Sequence, residues 1–521
     1  MANKKFSEFD LKTSSSDVAF VVGFNGTDNV RIAPSNLSSG GASSLNGLSD
    51  CLVDTASLYV GEVPSSLSGN PQNNTILGID AGAALTTGTD NTFIGHQAGD
   101  SYTTGIDAVI IGNKAGQATN GPQNVFIGNQ AGENSTGSMH IAIGHRASSS
   151  GGTLGVVIGR EAGLSNTGDS GIIIGASSAR NNSAAYHVSI GYQAGFSQTS
   201  GTKNTNLGYQ AGYSNTSQAS RTCIGYEAGK SNTGTSNTFI GQAAGKGSST
   251  GQMNVVIGSN AMAFAALGNF NIGVGHQVAQ ESTAANNTIV GYQAGQYNTT
   301  GGNNTMVGYE AGRNTTTGTL NTCIGYAAGS NLTTGNNNIT IGGAATGSTT
   351  GNSNTIIGVS TNIANTLQSN VTLLGYAAVG TGSSNQITLG NSSISTLRCA
   401  VTSITSLSDE RDKTEIKDLG YGLSFIDALQ PKEFVWDNRP ETRSEIDEDG
   451  NETEVEFYSA NKGKKDFGFI AQEVQELDNE TLRLVFDDNP EKLELSYGKL
   501  VPVLVQAIKD LSAKVTALEN A

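Results

Sequence analysis

The chain has 521 residues, of which 69 are glycine, while 14% are charged and only 6% are aromatic. Large aromatic side chains dominate the energetics of globular cores, so this composition argues against one large globular core. It also argues against a disordered chain, because charge is sparse and aliphatic residues recur at regular spacing. The net charge is −16 and the sequence shows no basic patch, which disfavours binding to nucleic acid.

Charge divides the chain into two regions. Residues 401–521 carry 27 acidic and 14 basic side chains, which accounts for 13 of the 16 net negative charges. A near-neutral body joined to a charged tail predicts two regions with different roles. The opening residues lack the apolar core of a signal peptide, and no run of about 18 apolar residues occurs. We therefore expect synthesis in a cytosol and no membrane insertion.

A repeat of 15 to 17 residues fills most of the body. Each copy has a central glycine, as in the segment Asn-Thr-Phe-Ile-Gly that ends at Gly95. The residue before this glycine is Ile, Leu or Val in every copy; alanine stands three residues after it in sixteen copies, and asparagine four before it in twelve. The twenty central glycines are at positions 78, 95, 112, 128, 144, 159, 175, 191, 208, 225, 241, 258, 275, 291, 308, 325, 342, 358, 375 and 390.

This period is too short for helical repeats or propeller blades and is typical of β-solenoid coils. We expect a short strand such as Thr92–Ile94 to point its aliphatic and β-branched side chains inward, and glycine to allow a tight bend. Aligned asparagines predict a hydrogen-bonded ladder along the stack. Because one coil is thin, three chains around an axis would bury a second apolar face. We predict a mainly β protein with a trimeric solenoid shaft of about twenty coils over residues 74–395.

The repeat resembles the head domains of trimeric autotransporter adhesins, which also stack short coils containing Ile-Gly-x-x-Ala. Those heads are trimeric left-handed parallel β-rolls, and the resemblance implies trimeric stacked coils here. The present chain departs from them in its longer period and in lacking a signal peptide and a membrane barrel.

Tyrosines recur directly after the central glycine. They predict either an aromatic stripe that stacks on host sugars or a packing ladder that stiffens the shaft. Histidines take this position in three other coils, His96, His145 and His276, but we expect no metal and no cofactor. The tyrosines are Tyr192, Tyr209, Tyr226, Tyr292, Tyr309, Tyr326 and Tyr376.

The four cysteines, Cys51, Cys223, Cys323 and Cys399, show no metal-ligand spacing. Two of them, Cys223 and Cys323, occupy a repeat position that phenylalanine fills in other copies. We expect these two to be small buried hydrophobic residues rather than disulfide partners or metal ligands.

Residues 1–45 differ from the repeat. Two strand-like segments, Val18–Phe24 and Val30–Ala33, flank a polar loop and predict a hairpin. This opening resembles the starts of marine-phage tail-fibre proteins, which implies attachment to the virion; a solenoid cap is the alternative. Residues 46–73 are expected to form a linker or irregular first coils.

Four sequence blocks follow the last coil and a junction at residues 396–407. They are Ser408–Ile416, Ala428–Trp436, Phe467–Glu473 and Tyr497–Leu500. In this order they resemble the endosialidase-type intramolecular chaperones, which are serine-peptidase-like C-terminal domains of phage tail spikes and fibres. The resemblance spans residues 408–521 and implies a small α+β domain. The acidic stretch 437–460 is expected to be a protruding hairpin of this chain's own.

The resemblance also implies chemistry. In that family the serine of the first block is the nucleophile and the lysine five residues later is its base. Here these are Ser408 and Lys413, with the cut between Leu407 and Ser408. The supporting motif residues are Asp409, Arg411, Gly468, Gln472 and Glu473.

The implied chemistry is reasonable for these residue types. A serine hydroxyl that attacks the carbonyl of the preceding residue closes a five-membered ring, so proximity is built into the chain. The hydroxyl is a weak nucleophile until a neighbour accepts its proton, and a lysine accepts a proton only when desolvation lowers its pKa. Partial burial in a trimer would supply that desolvation. We expect a single self-directed turnover and no activity on external substrates.

The chain ends in a helix expected over residues 497–521. Its apolar residues are spaced 3, 4, 3, 4, 3, which predicts a coiled-coil seam, while a helix packed on its own domain is the alternative. The seam residues are Val501, Leu504, Ile508, Leu511, Val515 and Leu518.

These features predict a phage tail fibre, assembled as a homotrimer in the host cytoplasm and carried on the virion. Its N-terminus would bind a tail or baseplate protein, and its shaft a host cell-surface glycan or protein. A glycan depolymerase is one alternative, but glycosidases need paired carboxylates, and Glu161, Glu227 and Glu310 are scattered at equivalent coil positions. An ice-binding or adhesin solenoid, suggested by threonine-rich coils, is another.

Overall fold

A computed structural model describes the protein as two compact units, residues 1–286 and 287–521. No helix among the described residues is long and apolar enough to cross a membrane. The described residues are 20–24, 29–32, 51–54, 56–61, 64–65, 67–69, 71–150, 154–247, 249–264, 266–347, 349–363, 367–394, 396–398, 408–437, 439–446, 452–457, 461–478, 482–487 and 493–521.

The first unit begins with the expected hairpin. Strand β1 (Phe20–Phe24) pairs antiparallel with β2 (Asn29–Ile32), and Phe20 lies opposite Ile32. The hairpin predicted near the N-terminus is therefore confirmed for these two strands.

The rest of the first unit is a parallel β-solenoid. Strand β3 (Cys51–Asp54) pairs antiparallel with β4 (Ser57–Gly61), and each strand from β4 to β17 pairs in parallel with the next. The repeat strands of this unit are β5 Thr75–Gly78, β6 Thr92–Ile94, β7 Val109–Ile111, β8 Val125–Ile127, β9 Ile141–Ile143, β10 Val156–Ile158, β11 Ile172–Ile174, β12 Val188–Ile190, β13 Thr205–Leu207, β14 Thr222–Ile224, β15 Thr238–Ile240, β16 Val255–Ile257 and β17 Ile272–Val274.

The second unit opens with the same kind of coil. Its repeat strands pair in parallel, each with the next. They are β18 Thr288–Val290, β19 Thr305–Val307, β20 Thr322–Ile324, β21 Ile339–Ile341, β22 Thr355–Ile357, β23 Val371–Leu374 and β24 Gln386–Leu389. The predicted mainly β solenoid is thus confirmed in both units.

Each three-residue strand from β6 to β22 points only its middle residue inward. Phe93 is fully buried, whereas Thr92 and Ile94 on either side are half-buried on the outer face. The expected inward direction therefore holds for the middle residue alone, because successive side chains of a strand lie on opposite faces. The outer face is left with a row of Ile, Leu and Val side chains, one from the residue before each central glycine.

Glycine and asparagine hold the coils in register. Gly95 has a φ of +129°, and a Cβ built there would lie 2.7 Å from the carbonyl oxygen of Gly112 in the next coil, so a larger residue does not fit. The side-chain oxygen of Asn74 accepts a hydrogen bond from the backbone N–H of Asn91 at 3.1 Å. The Asn91 amide in turn donates to the Gly105 carbonyl at 3.0 Å. The predicted asparagine ladder is confirmed.

The C-terminal part of the second unit is a small α+β domain, as expected. Its core contains Phe425, Leu429, Val474, Leu484, Leu500 and Val503. Its elements are α1 Leu423–Ala428, β25 Lys432–Val435, β26 Glu441–Ile446, β27 Glu452–Phe457, β28 Lys465–Gly468, α2 Ala471–Leu477, β29 Val485–Phe486, β30 Glu494–Leu495 and α3 Leu500–Glu519, with 3₁₀ turns at Glu410–Asp412 and Tyr497–Lys499.

Three antiparallel ribbons shape the described part of this domain, and the shortest pairs β29 with β30. Strand β25 pairs with β28, and Lys432 lies opposite Gly468. Strand β26 pairs with β27, and Glu441 lies opposite Phe457, which confirms a hairpin within the acidic stretch 437–460.

Candidate functional site

Ser408 and Lys413 lie in direct contact. The side-chain nitrogen of Lys413 is 2.7 Å from the hydroxyl oxygen of Ser408 and 3.0 Å from its carbonyl oxygen. A nucleophile and its base must lie within hydrogen-bond reach, and this pair does. Leu407, the other side of the expected cleavage site, lies outside the described residues.

One turn of 3₁₀ helix brings the two residues together. Residues Glu410–Asp412 form this turn, and Asp409 caps its N-terminus by accepting a hydrogen bond from the Arg411 N–H at 2.9 Å. The turn ends where the backbone N–H of Lys413 donates to the Glu410 carbonyl at 3.1 Å. The chain is thereby reversed, and the side chain at position 413 reaches back to position 408.

The dyad is solvent-exposed in the single chain. Both Ser408 and Lys413 are exposed. A general base must accept a proton, and burial is what favours the neutral form of an amine. The geometry of a Ser-Lys dyad is therefore present in the protomer, and the dry environment that would activate it is not.

The three other motif residues lie on β28 and α2. Gly468 is buried at the end of β28, and a Cβ built there would lie 2.5 Å from the hydroxyl oxygen of Tyr497. That hydroxyl accepts a hydrogen bond from the backbone N–H of Phe469 at 3.1 Å. On α2, Gln472 is exposed, and the Glu473 carboxylate lies 3.5 Å from the Lys432 amine.

The motif thus divides into two groups. Ser408, Asp409, Arg411 and Lys413 lie in or beside the 3₁₀ turn, whereas Gly468 lies on β28 and Gln472 and Glu473 lie on α2. No hydrogen bond or ion pair joins the groups among the described residues. The sequence did not predict Tyr497 as a site residue, although this tyrosine opens the fourth sequence block and could have been found from it.

The C-terminal region matches one family model over residues 408–483, and the family is described as the chaperone of endosialidase. The charged tail carries an endosialidase-type chaperone domain. The match to this chaperone begins at Ser408 and ends before α3. No curated protein matches the chain, and no solved structure matches it. A β-solenoid followed by this chaperone fits a protein of the phage tail-fibre type, and the chaperone family implies trimeric assembly.

The tyrosine stripe forms two stacked ladders, one in each unit. In the first unit, the rings of Tyr192 and Tyr209 lie 5.4 Å apart, and those of Tyr209 and Tyr226 lie 5.0 Å apart. In the second unit, the separations are 5.1 Å for Tyr292–Tyr309 and 5.2 Å for Tyr309–Tyr326. The rings are within 16° of parallel, and each is 40–51% exposed. Beside the first ladder, Phe196 and Tyr213 stack in the same way, a pair that the sequence analysis missed.

The three glutamates at equivalent coil positions, Glu161, Glu227 and Glu310, are paired with cations rather than with one another. Glu227 contacts Lys230 and Lys246 at 2.5 and 2.6 Å, and these two partners lower its pKa. Glu161 lies 3.1 Å from Arg180, and Glu310 lies 3.3 Å from Arg313. Within the first unit, four coils separate Glu161 from Glu227, about 19 Å at normal strand spacing. That is too far for a glycosidase pair, which needs about 5–9.5 Å.

The two described cysteines match the sequence prediction. Cys223 and Cys323 are buried and free, and burial raises the pKa of the Cys323 thiol to about 12. The side chains of Cys51 and Cys399 lie outside the described residues.

Three histidines were noted at the tyrosine position of the repeat. Of these, His96 lies 3.1 Å from the side-chain amide of Asn113.

Proposed function

We propose that this chain is the subunit of a homotrimeric phage tail fibre. Its chaperone assembles three solenoids and then cuts the bond between Leu407 and Ser408. The N-terminal region binds a tail or baseplate protein, and the solenoid contacts the host cell surface. The contact between Ser408 and Lys413 carries the proteolytic part of this proposal, and the match to the chaperone family supports the rest.

The proposed cleavage proceeds through an ester. The Ser408 hydroxyl oxygen bonds to the carbonyl carbon of Leu407, and its proton passes to the Lys413 amine. The C–N bond then breaks, and the nitrogen of Ser408 takes up a proton to become the new N-terminus. Water hydrolyses the remaining ester, which frees the Leu407 carboxylate and restores the serine hydroxyl.

The last helix supports the trimer. Its six seam residues are 44–77% exposed in the protomer, whereas Leu500, Val503 and Ala507 on the other side of α3 are buried. An exposed apolar heptad seam is stabilised when other helices cover it. The outward Ile, Leu and Val row of the solenoid offers a second surface for the same association.

Assembly and cleavage are linked in this proposal. Association of three chains removes water from the neighbourhood of each dyad, and burial favours the neutral form of an amine. A chain that has not assembled keeps an exposed lysine and stays intact. Cleavage thereby reports correct assembly.

Expression of the full chain tests the proposal on a denaturing gel. We expect fragments of 407 and 114 residues from the wild type, and an intact chain from Ser408→Ala and Lys413→Ala. Lys417→Ala removes another exposed lysine four residues further on and should cleave normally. A wild type that forms trimers but stays intact would remove the proteolytic role and leave the chaperone role.

Immunogold labelling tests the proposed location. Antibodies against the solenoid should label the tails of purified virions of a phage that encodes this chain. Labelling of heads alone, or of no particle, contradicts a tail fibre.

A further inference from the structure

The tyrosine ladder of the second unit ends at a gap. After the stacked rings of Tyr292, Tyr309 and Tyr326, the next coil has Gly343 at the ladder position, and the coil after that has Val359. The coils keep their register across the gap. The N–H of Ala344 donates to the Tyr326 carbonyl at 2.7 Å, and the next coil donates to the Gly343 carbonyl at 2.9 Å.

The gap has the size of one ring. Neighbouring strands lie about 4.8 Å apart, so Tyr326 and Val359 are separated by roughly 10 Å. Carbon atoms in contact lie about 3.5–4.0 Å apart, which leaves room for one six-membered ring that touches both side chains. A Cβ built at Gly343 would have no heavy atom of the described residues within 4 Å. Tyr326 is 40% exposed and Val359 is 50% exposed.

Stacking restricts which rings offer a face to a ligand. Tyr309 has a neighbouring ring on each side, so mainly its edge and hydroxyl reach solvent. Tyr326 ends the run, and its second face is turned toward the coil of Gly343. A sugar can therefore stack at the end of this ladder but not along its interior.

The surrounding sequence favours an uncharged ligand. Residues 314–397 contain no Asp, Glu, Lys, Arg or His. A charged ligand finds no counter-charge from this stretch, whereas Thr, Ser and Asn supply hydroxyl and amide groups for neutral hydrogen bonds. The negative face of a tyrosine ring attracts the positively polarised C–H bonds on one side of a pyranose.

We propose that the gap at Gly343, between Tyr326 and Val359, binds one neutral pyranose unit of a host surface polysaccharide. The inference rests on the proposed host contact and gives it a location and a ligand class. In this geometry the sugar stacks on the ring face of Tyr326 and contacts Val359 on its other side.

Saturation-transfer difference NMR on the assembled protein tests the site. The probes are maltohexaose, cellohexaose and β-1,4-galactohexaose, with trigalacturonic acid as the charged comparison. Gly343→Tyr fills the gap with a fourth ring, and Tyr326→Ala removes the stacking face. The matched control is Ala176→Tyr, which adds a tyrosine next to the Tyr192 ladder in the first unit.

We expect saturation transfer to the ring C–H protons of at least one neutral probe with the wild type and with Ala176→Tyr. The signal should fall at least fivefold in Gly343→Tyr and in Tyr326→Ala. Equal signals from wild type and Gly343→Tyr would overturn the proposal. So would the absence of transfer to every neutral probe, or transfer to trigalacturonic acid alone.

A second measurement separates this site from the host contact itself. Fluorescently labelled wild type and Gly343→Tyr are incubated with a panel of bacterial strains. If both label cells equally and neither gives a sugar signal, the pyranose site is wrong and the host contact stands. If wild type labels no strain, the host contact fails, and the NMR result still decides whether the gap binds a sugar.

Discussion

The guanidinium of Arg411 lies 2.7 Å from the carboxylate of Asp409, two residues earlier in the chain. The same carboxylate accepts the backbone N–H of Arg411, and these bonds lower the pKa of Asp409. The pair closes the short turn between Ser408 and Lys413. It therefore holds the proposed nucleophile and base at hydrogen-bond distance.

Loss of the Asp409 cap should slow self-cleavage. We expect Asp409→Ala to cleave about fivefold more slowly, the usual size of an N-cap effect, because the turn then holds Lys413 near Ser408 for less of the time. Asp409→Asn retains an acceptor for the Arg411 N–H and should cleave at an intermediate rate. The rate at which the 114-residue fragment appears is the measurement. Asp412→Ala, in the same turn, is the control; equal rates for Asp409→Ala and Asp412→Ala contradict the prediction.

A charge in the α3 seam should prevent assembly. Ile508 is 66% exposed in the protomer, and in a trimer its substitution by aspartate would bury three carboxylates together. We expect Ile508→Asp to sediment as a monomer at micromolar concentration and to remain uncut. Lys509→Asp changes the adjacent exposed residue outside the seam and should yield a cleaved trimer. An Ile508→Asp protein that still forms trimers would show that the seam is not the interface.

His187 should make its coil acid-sensitive. It replaces the usual asparagine of the ladder and is 1% exposed, and burial lowers its pKa from 6.5 to about 4. Above pH 6.5 neither the folded nor the unfolded chain holds the extra proton. Between pH 6.5 and 4 the unfolded chain binds a proton that the folded chain does not, so stability falls as the pH falls, by about 3 kcal/mol at pH 4.

Hydrogen exchange can measure this effect locally. At pH 4.5 the amides of β12 should exchange faster in the wild type than in His187→Asn, which restores the ladder residue. At pH 7 the exchange rates of these amides should differ far less between the two proteins. The amides of β8, next to Asn124, provide the internal control. Identical exchange of β12 in the two proteins at pH 4.5 would contradict the pKa effect.

Substitution by alanine should lower the stability of the solenoid at Gly325 but leave it nearly unchanged at Gly343, in the next coil. Gly325 has a φ of +131°, and a Cβ there would lie 2.7 Å from the Gly342 carbonyl oxygen, so Gly325→Ala should destabilise the solenoid by at least about 2 kcal/mol. At Gly343 a Cβ meets open space, and Gly343→Ala should leave stability within about 0.5 kcal/mol. Thermal unfolding of the two variants checks the contrast. Equal melting temperatures would show that the coils do not approach as closely as described.

Much of the fold could be predicted from spacing alone. Each repeat has a glycine with the same kinds of neighbours, as around Gly95, and this glycine allows one tight bend per coil. The asparagine four residues before the glycine lies in the same row in successive coils, as Asn74 and Asn91 do. These are local constraints repeated along the chain. The contact between Ser408 and Lys413 was expected from the family resemblance, but the turn closed by Arg411 was not, because it depends on the backbone path between them.

The tyrosine stripe separates what sequence determined from what tertiary structure decided. Periodicity placed Tyr309 and Tyr326 at the same coil position, and composition alone indicated a neutral solenoid with a charged tail. Whether the rings face solvent or one another depends on the distance between coils. Backbone hydrogen bonds set this distance near 5 Å, which is close to the separation at which aromatic rings stack. Only the structure showed that Tyr309 has a stacked ring on each side and that a Cβ built at Gly343 would meet no heavy atom of the described residues within 4 Å.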